Sequence, residues 1–365
     1  MLYKTFKLIT STTNMKKLVL VLFCLISISL SFSWKASDNG IIAAGAQPQI
    51  SVDPRGTIRV VFGRNDSVFC TTSIDQGSTF STPVLVGSVA GMHLGMSRGP
   101  QIASSAKTSL ITAMDKSGDI HFFQLDNKFG KWVSKGYVND LRSTAPEGLM
   151  GLAADKNDHY YAVWLDTRQE KKNNIYFSSF GPTQKTWSKN ILVYQSPDGH
   201  VCECCKPNIA VRNNQVAIMF RNWISGSRDM YLLQSVNSGR NFSPAQKLGE
   251  GTWPLKACPM DGGGLVFDSK GNIQTAWQRQ GVIYTCKPGK PEMKVAEGRG
   301  CSIGSGIKDE DWLIAYQDGE TAKVVSAAGK ELTTIKGSFL KPIMLPKGKL
   351  FYVWESNKVV YFKQS

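Results

Sequence analysis

One unit recurs seven times along this chain of 365 residues, and that recurrence limits the folds available more than any single motif does. A Pro or Gly opens a short apolar strand, a turn leads to a second strand rich in aromatics, and a polar loop, a third strand and a weaker fourth follow. The units open near Pro48, Pro100, Pro146, Pro207, Pro259, Cys301 and Pro342. Second strands such as TIRVVFG, YYAVWLD, QVAIMFR and LFYVWES alternate or run apolar and favour Val, Ile, Tyr, Phe and Trp, as half-buried strands require. A repeat of this length is one supersecondary unit that cannot bury its faces alone, so its neighbours must cover them. No segment of helical period and helical length occurs beyond the N-terminal leader. The expectation is an all-β β-propeller of four-stranded blades, seven by repeat count, with six as the alternative.

The last repeat stops after KVVYFKQS, which supplies a third strand and no fourth. The segment WKASDNGIIAAGA, ahead of the first repeat, is placed to fill the vacancy and close the ring, which removes the exposed edges an open sheet would carry. Residues 34–365 are therefore read as a single propeller domain. Ahead of them, MKKLVLVLFCLISISLSFSW has two lysines, an apolar run and small residues, the layout of an export signal cleaved before Trp34. Residues 1–14 extend it, so residues 1–33 are a signal peptide with an N-terminal extension. No later segment is apolar for long enough to span a bilayer. The expected location is periplasmic, secreted or cell-surface.

Removing the leader takes four lysines from a formal charge of +15 and leaves +11. That surplus attracts anionic partners over long range. The basic residues are scattered and carry no nucleic-acid motif, so the expected partner is a glycan or another anionic small ligand and not nucleic acid. The protein is expected to be a monomer. Seven of the eight cysteines remain after cleavage, an odd number in a compartment that permits disulfides.

Two repeats carry a further mark between their third and fourth strands: Ser73-Ile74-Asp75-Gln76-Gly77-Ser78-Thr79-Phe80, and the variant Ser235-Val236-Asn237-Ser238-Gly239-Arg240-Asn241-Phe242. The pattern suits a hairpin turn whose Asp or Asn side chain bonds backbone amides, with Gly at positive φ and the aromatic plugging between strands. It resembles the Asp box of the sialidase-like, BNR-repeat propeller superfamily, and the blade pattern extends the resemblance over residues 47–365. The segments HVCECCKPNIAV, NWISGSRDMYLLQSVNSGRNFSPAQKLG and TWPLKACPMDGGGLVF look like an exported subgroup with a CxCC motif, labelled exo-α-sialidase by similarity.

In a propeller the loops entering each first strand and those joining second to third strands emerge on one face around the axis, where ligands bind. Five cysteines fall there. His200, Cys202, Cys204 and Cys205 precede the fourth repeat, Cys258 precedes the fifth and Cys301 opens the sixth, whereas Cys70 and Cys286 lie in third strands as buried apolar residues. Cys202, Cys204, Cys205, Cys258 and His200 suit disulfides, a copper or zinc site, or redox chemistry at Cys204 and Cys205. Arg98, Arg221 and Arg279, with Asp261, form the candidate substrate-binding set, because guanidinium groups grip a carboxylate or sulfate with paired hydrogen bonds. The resemblance implies an acidic, sialic-acid-like glycan and a glycoside-hydrolase mechanism. In that mechanism Asp166 is the acid, and Glu147 polarises Tyr316 to stabilise the oxocarbenium charge. Two other readings stand beside it: an exported copper- or zinc-binding or thiol-redox protein, and a non-catalytic binding scaffold.

Overall fold

The computed structural model describes residues 34–35, 40–126, 129–305, 312–345 and 348–364, and the export-signal expectation at residues 1–33 lies outside the described residues. Seven four-stranded antiparallel sheets form a ring, which settles the blade count in favour of seven over six. From the inner strand outward, blade 1 is Ala46–Val52, Ile58–Arg64, Ser67–Ser73 and Val84–Ser88, and blade 2 is Gln101–Ser104, Ser109–Met114, Ile120–Asp126 and Lys131–Tyr137. Blade 3 is Met150–Ala154, Tyr160–Gln169, Lys172–Phe180 and Ile191–Tyr194, and blade 4 is Asn208–Arg212, Gln215–Arg221, Met230–Ser235 and Gln246–Lys247. Blade 5 is Gly264–Phe267, Ile273–Arg279, Val282–Cys286 and Met293–Glu297, and blade 6 is Arg299–Gly304, Leu313–Asp318, Thr321–Ser326 and Glu331–Lys336. Blade 7 takes Ser338–Met344, Leu350–Ser356 and Val359–Gln364 from the C-terminal repeat and its outer strand, Ile41–Ala44, from the N-terminal segment.

Each second strand is buried on both faces because a blade packs against a neighbour on either side. That explains why these strands read as apolar runs instead of a clean alternation. Ile58–Gly63 and Tyr160–Asp166 are buried throughout. The cores therefore lie between blades. Val61, Val68 and Cys70 of blade 1 meet Ile111, Ala113 and Phe123 of blade 2. Ile58, Phe62 and Phe80 of blade 1 meet Phe351, Val353, Val360 and Phe362 of blade 7, which completes the circle. The inner strands also touch in unbroken sequence, Ser338–Met344 returning to Ala46–Val52.

The Ser73–Phe80 turn is built as its sequence pattern requires. Ser73 Oγ donates to Asp75 Oδ1 (2.7 Å), and that oxygen also accepts Thr79 N–H (3.0 Å), while Gly77 N–H donates to Ser73 Oγ (2.8 Å). Gly77 has φ +89°, and a Cβ there would meet the Phe351 ring at 2.6 Å, so the turn seats on blade 7 only without a side chain. The Ser235–Phe242 turn repeats the bonds with Asn237 in place of the acid (Asn241 N–H to Asn237 Oδ1, 3.0 Å) and leans on Phe177 of blade 3. Both turns fasten one blade to the preceding one.

Removing residues 34–44 would leave Val359–Gln364 as an unpaired edge with free N–H and C=O groups. The truncated chain is expected to melt several degrees lower and to associate with rising concentration. Thermal unfolding with light scattering checks this, and an unchanged midpoint in a monodisperse sample would contradict it.

Candidate functional site

The sulfur-bearing loops are held from below by packing and from the side by a covalent link. Val201, fully buried in the core between blades 3 and 4, donates its N–H to Asn173 O (2.8 Å), and Cys202 N–H donates to Arg221 O (3.1 Å), so the loop before blade 4 enters the site in a set direction. Cys204 forms a disulfide with Cys258, whose Cα lies 6.0 Å away in the loop before blade 5. Of the three readings for the cluster, the disulfide is present for this pair. Cys202 and Cys205 remain free thiols, with Sγ atoms 3.3 Å apart, and Cys202 Sγ lies 3.7 Å from Cys204 Sγ. All three sulfurs are buried, and Met260 packs against them. Cys301 is buried and free, outside this cluster.

Arg228 sets the charge of this pocket. Arg228 Nη1 donates to Cys202 Sγ (2.9 Å) and reaches Glu203 Oε2 (3.3 Å), while its guanidinium lies over the Trp223 ring. The hydrogen bond between Cys202 and Cys205, with help from Arg228, brings Cys202 down to about 7 although burial opposes this; burial pushes Cys205 well up. His200 is not part of the sulfur cluster, contrary to expectation. Its ring stacks on Trp223 and its Nδ1 engages Val201 O (3.0 Å), so among the described residues the convergent ligand atoms belong to Cys202, Cys204 and Cys205.

The arginine set expected from sequence is dispersed among protein partners. Arg221 is 1% exposed and gives its donors to main-chain carbonyls: Nε and Nη2 to Asp261 O, Nη2 to Gln278 O and Nη1 to Arg228 O, each near 2.9–3.0 Å. It braces blade 4 to blade 5. Arg279 forms a two-pronged ion pair with Glu292 of its own blade. Arg98 donates Nε to Glu147 O and pairs with the Glu147 carboxylate (3.7 Å), leaving Nη1 buried without a partner. A single anion therefore does not find three convergent guanidinium groups.

The catalytic trio is also separated. Asp166 is fully buried and accepts Arg168 Nε and Nη2 (2.9 Å each), Trp164 Nε1 (2.8 Å) and Thr144 Oγ1 (2.8 Å). Tyr316 packs with Ile283, Trp312 and Val325 in the core between blades 5 and 6, whereas Glu147 enters blade 3, so the two stand three blades apart. Asp261 is buried with Oδ1 accepting Gly263 N–H and Oδ2 accepting Gly300 N–H (2.7 Å); burial raises its pKa against the pull of Arg221. These carboxylates stitch loops.

Two lysines that sequence reading passed over occupy the ring's centre. Lys206 enters the inner strand of blade 4, yet its Nζ donates to Gln101 Oε1 at the inner strand of blade 2 (2.7 Å), which places it across the axial channel. Lys341 is on the inner strand of blade 7, close enough for its charge to act on Lys206. Burial, then the Lys341 charge, lowers Lys206 to about 7, and burial lowers Lys341 against the opposing pull of Cys301 and Asp261. Both keep part of their surface accessible. A signal was available: each lysine directly precedes the proline that opens its repeat, Pro207 and Pro342.

No family model matches the chain and no curated protein does. Solved structures share the fold. An α-L-arabinanase of Penicillium chrysogenum complexed with arabinobiose is 14% identical and superposes over 83% of this chain and 98% of its own with a TM-score of 0.52. An ulvan lyase is 8% identical over 90% of this chain and 95% of its own, TM-score 0.60. The SapL1 lectin bound to α-methyl fucoside is 12% identical over 82% and 98%, TM-score 0.53. At these identities the likeness establishes the propeller architecture.

Because Asp166 is the buried partner of Arg168, whose other carboxylate contact is the exposed Asp140, Asp166→Asn is expected to cost roughly 1.5–3 kcal/mol of stability through the lost charge-assisted hydrogen bonds. Urea unfolding measures it, and a loss below about 1 kcal/mol would show that the pair is not structural.

Proposed function

We propose that the ring binds an acidic glycan at the mouth of its axial channel, with Lys206 and Lys341 receiving a carboxylate or sulfate. The observation that carries this is the pair of ammonium groups in one channel, neither of which forms an ion pair among the described residues. Holding two like charges near each other in a low-dielectric site is costly unless an anion offsets them. A sugar is favoured over other anions because fold neighbours are described with saccharides: one ulvan lyase structure holds a disaccharide of glucuronate and sulfated rhamnose, and that protein is 9% identical with a TM-score of 0.59. A sialic-acid-like sugar meets the same requirement through its carboxylate. Excess positive charge over the chain would steer such ligands inward.

The reading is of recognition without hydrolysis, since Asp166 and Tyr316 are committed to interior contacts. The disulfide, and the absence among the described residues of a helix long and apolar enough to cross a membrane, are compatible with an exported protein, and we take it to act as an exported monomer.

A charge-assisted hydrogen bond contributes about 1.5–3 kcal/mol, so Lys206→Gln should weaken binding of a uronate or sulfated oligosaccharide roughly 10- to 100-fold. Calorimetric titration with oligoglucuronates, sialyllactose and sulfated oligosaccharides reads this. Wild-type affinity should fall as pH rises through about 7, where the Lys206 charge is lost. For the free protein the sign is opposite. The protonated amine is disfavoured in the fold, so its penalty is fully present below about 7 and fades as pH climbs towards the ordinary 10.5. Lys206→Gln should accordingly be neutral or stabilising at pH 6 without ligand. A variant that is destabilised at pH 6 and binds the anionic sugar as well as wild type would refute the assignment.

A further inference from the structure

We propose that Cys202 and Cys205, with the Met260 thioether beside them, form a cuprous-ion site whose wall is the intact Cys204–Cys258 disulfide. The inference is independent of the saccharide reading, since it concerns the loop pocket between blades 4 and 5 and not the axial lysines.

Three features of the pocket lead to this ion. The Sγ atoms of Cys202 and Cys205 are 3.3 Å apart, and Cys202 lies 3.7 Å from Cys204. Thiolates sharing one ion at metal–sulfur distances of about 2.3 Å stand roughly 3.7–4.0 Å apart, so opening the pair by less than 1 Å admits it. The donors are soft and the two thiols are sealed from water: Cys202 is 0% exposed and Cys205 1%, while the half-buried Met260 packs against the cysteine cluster. Thiolate and thioether ligands favour Cu(I) over hard cations, and the burial of the two thiols limits access of oxidising solvent.

Coordination number then separates copper from zinc. With Cys204 and Cys258 bonded to each other, the pocket offers two thiolates and one thioether. Cu(I) is content with two or three such donors, whereas structural zinc takes four in a tetrahedron. The charge also balances. Cu(I) displaces one proton from each thiol to solvent, with no change of oxidation state, and the resulting bis-thiolate unit carries one negative charge. Arg228 Nη1, 2.9 Å from Cys202 Sγ, faces that charge directly, and Arg221 holds the carbonyl of the adjoining Asp261. A zinc tetrathiolate would require reduction of the disulfide and would place two negative charges in the same space.

The test uses the full chain, purified without thiol reductant so that the disulfide stays closed, and titrated anaerobically with Cu(I) against bathocuproine disulfonate. In parallel, Zn(II) is titrated against a pyridylazo-resorcinol indicator. The expected result is one Cu(I) per chain with a sulfur-only shell near about 2.3 Å by X-ray absorption, and no zinc retained. Cys205→Ser should release Cu(I) to the competitor, while Cys70→Ala, at a buried cysteine of blade 1, should retain it. Should Cys205→Ser fail to fold, Met260→Leu decides: it keeps the apolar contact, and Cu(I) affinity should drop about tenfold with near-UV dichroism unchanged. The proposal is overturned by failure to hold Cu(I) against the competitor, or by stoichiometric zinc in the disulfide-intact protein. It is equally overturned by a nitrogen- or oxygen-dominated copper shell, by a folded Cys205→Ser or Met260→Leu protein with wild-type affinity, or by denatured thiol counting that finds Cys202 and Cys205 joined to each other.

Discussion

Everything in this molecule depends on the burial of blade faces against neighbouring blades, completed by the pairing of Ile41–Ala44 with Val359–Gln364. A four-stranded sheet of this kind has two apolar faces and no core of its own. In a ring every face is covered, and the N-terminal strand closes the seam between the last blade and the first, where Phe62, Phe80, Phe351 and Phe362 meet. The hydrophobic term is non-directional, so it favours stacking in general; the twist of the sheets and the antiparallel seam turn stacking into a closed circle.

Closure has a chemical consequence. It gathers residues far apart along the chain at two places, the axis and the entry loops. At the axis, Lys206 and Gln101 meet across 105 positions of sequence, and Lys341 joins them from the last blade. In the loops, Cys204 and Cys258 are 54 positions apart and covalently joined. The first site is hard and cationic, the second soft and lined with sulfur. They therefore suit different ligands, an oxyanion in one case and a soft cation in the other.

Arginine shows how the same side chain is diverted by its surroundings. Arg221 sits at the end of the second strand of blade 4, where the buried backbone carbonyls of Asp261, Gln278 and Arg228 lie within reach. A guanidinium with several donors in a fixed fork satisfies them at once and is then unavailable to a ligand. Arg279 is likewise closed off by Glu292. Arg228 differs because part of its fork is aimed at a sulfur, and this gives the cysteine pocket its positive wall.

What the chain alone determined is the architecture: strand-length apolar runs, turn residues and a repeat period are local properties, so seven blades, the borrowed outer strand and the shared face of the cysteine loops can all be read without coordinates. Cys70 and Cys286 were legible as buried strand residues for the same reason. What only the tertiary structure decided is which polar groups remain free. Arg221, Arg279 and Tyr316 look reactive in sequence, but their partners come from other strands or other blades, and Asp166 is closed off by Trp164 and Arg168 of its own strand and by Thr144. Lys206 and Lys341 look like ordinary surface charges until the ring turns them towards one another. Hydrogen-bond partnership at long sequence separation depends on distances that exist only after closure, and no residue pattern encodes it directly.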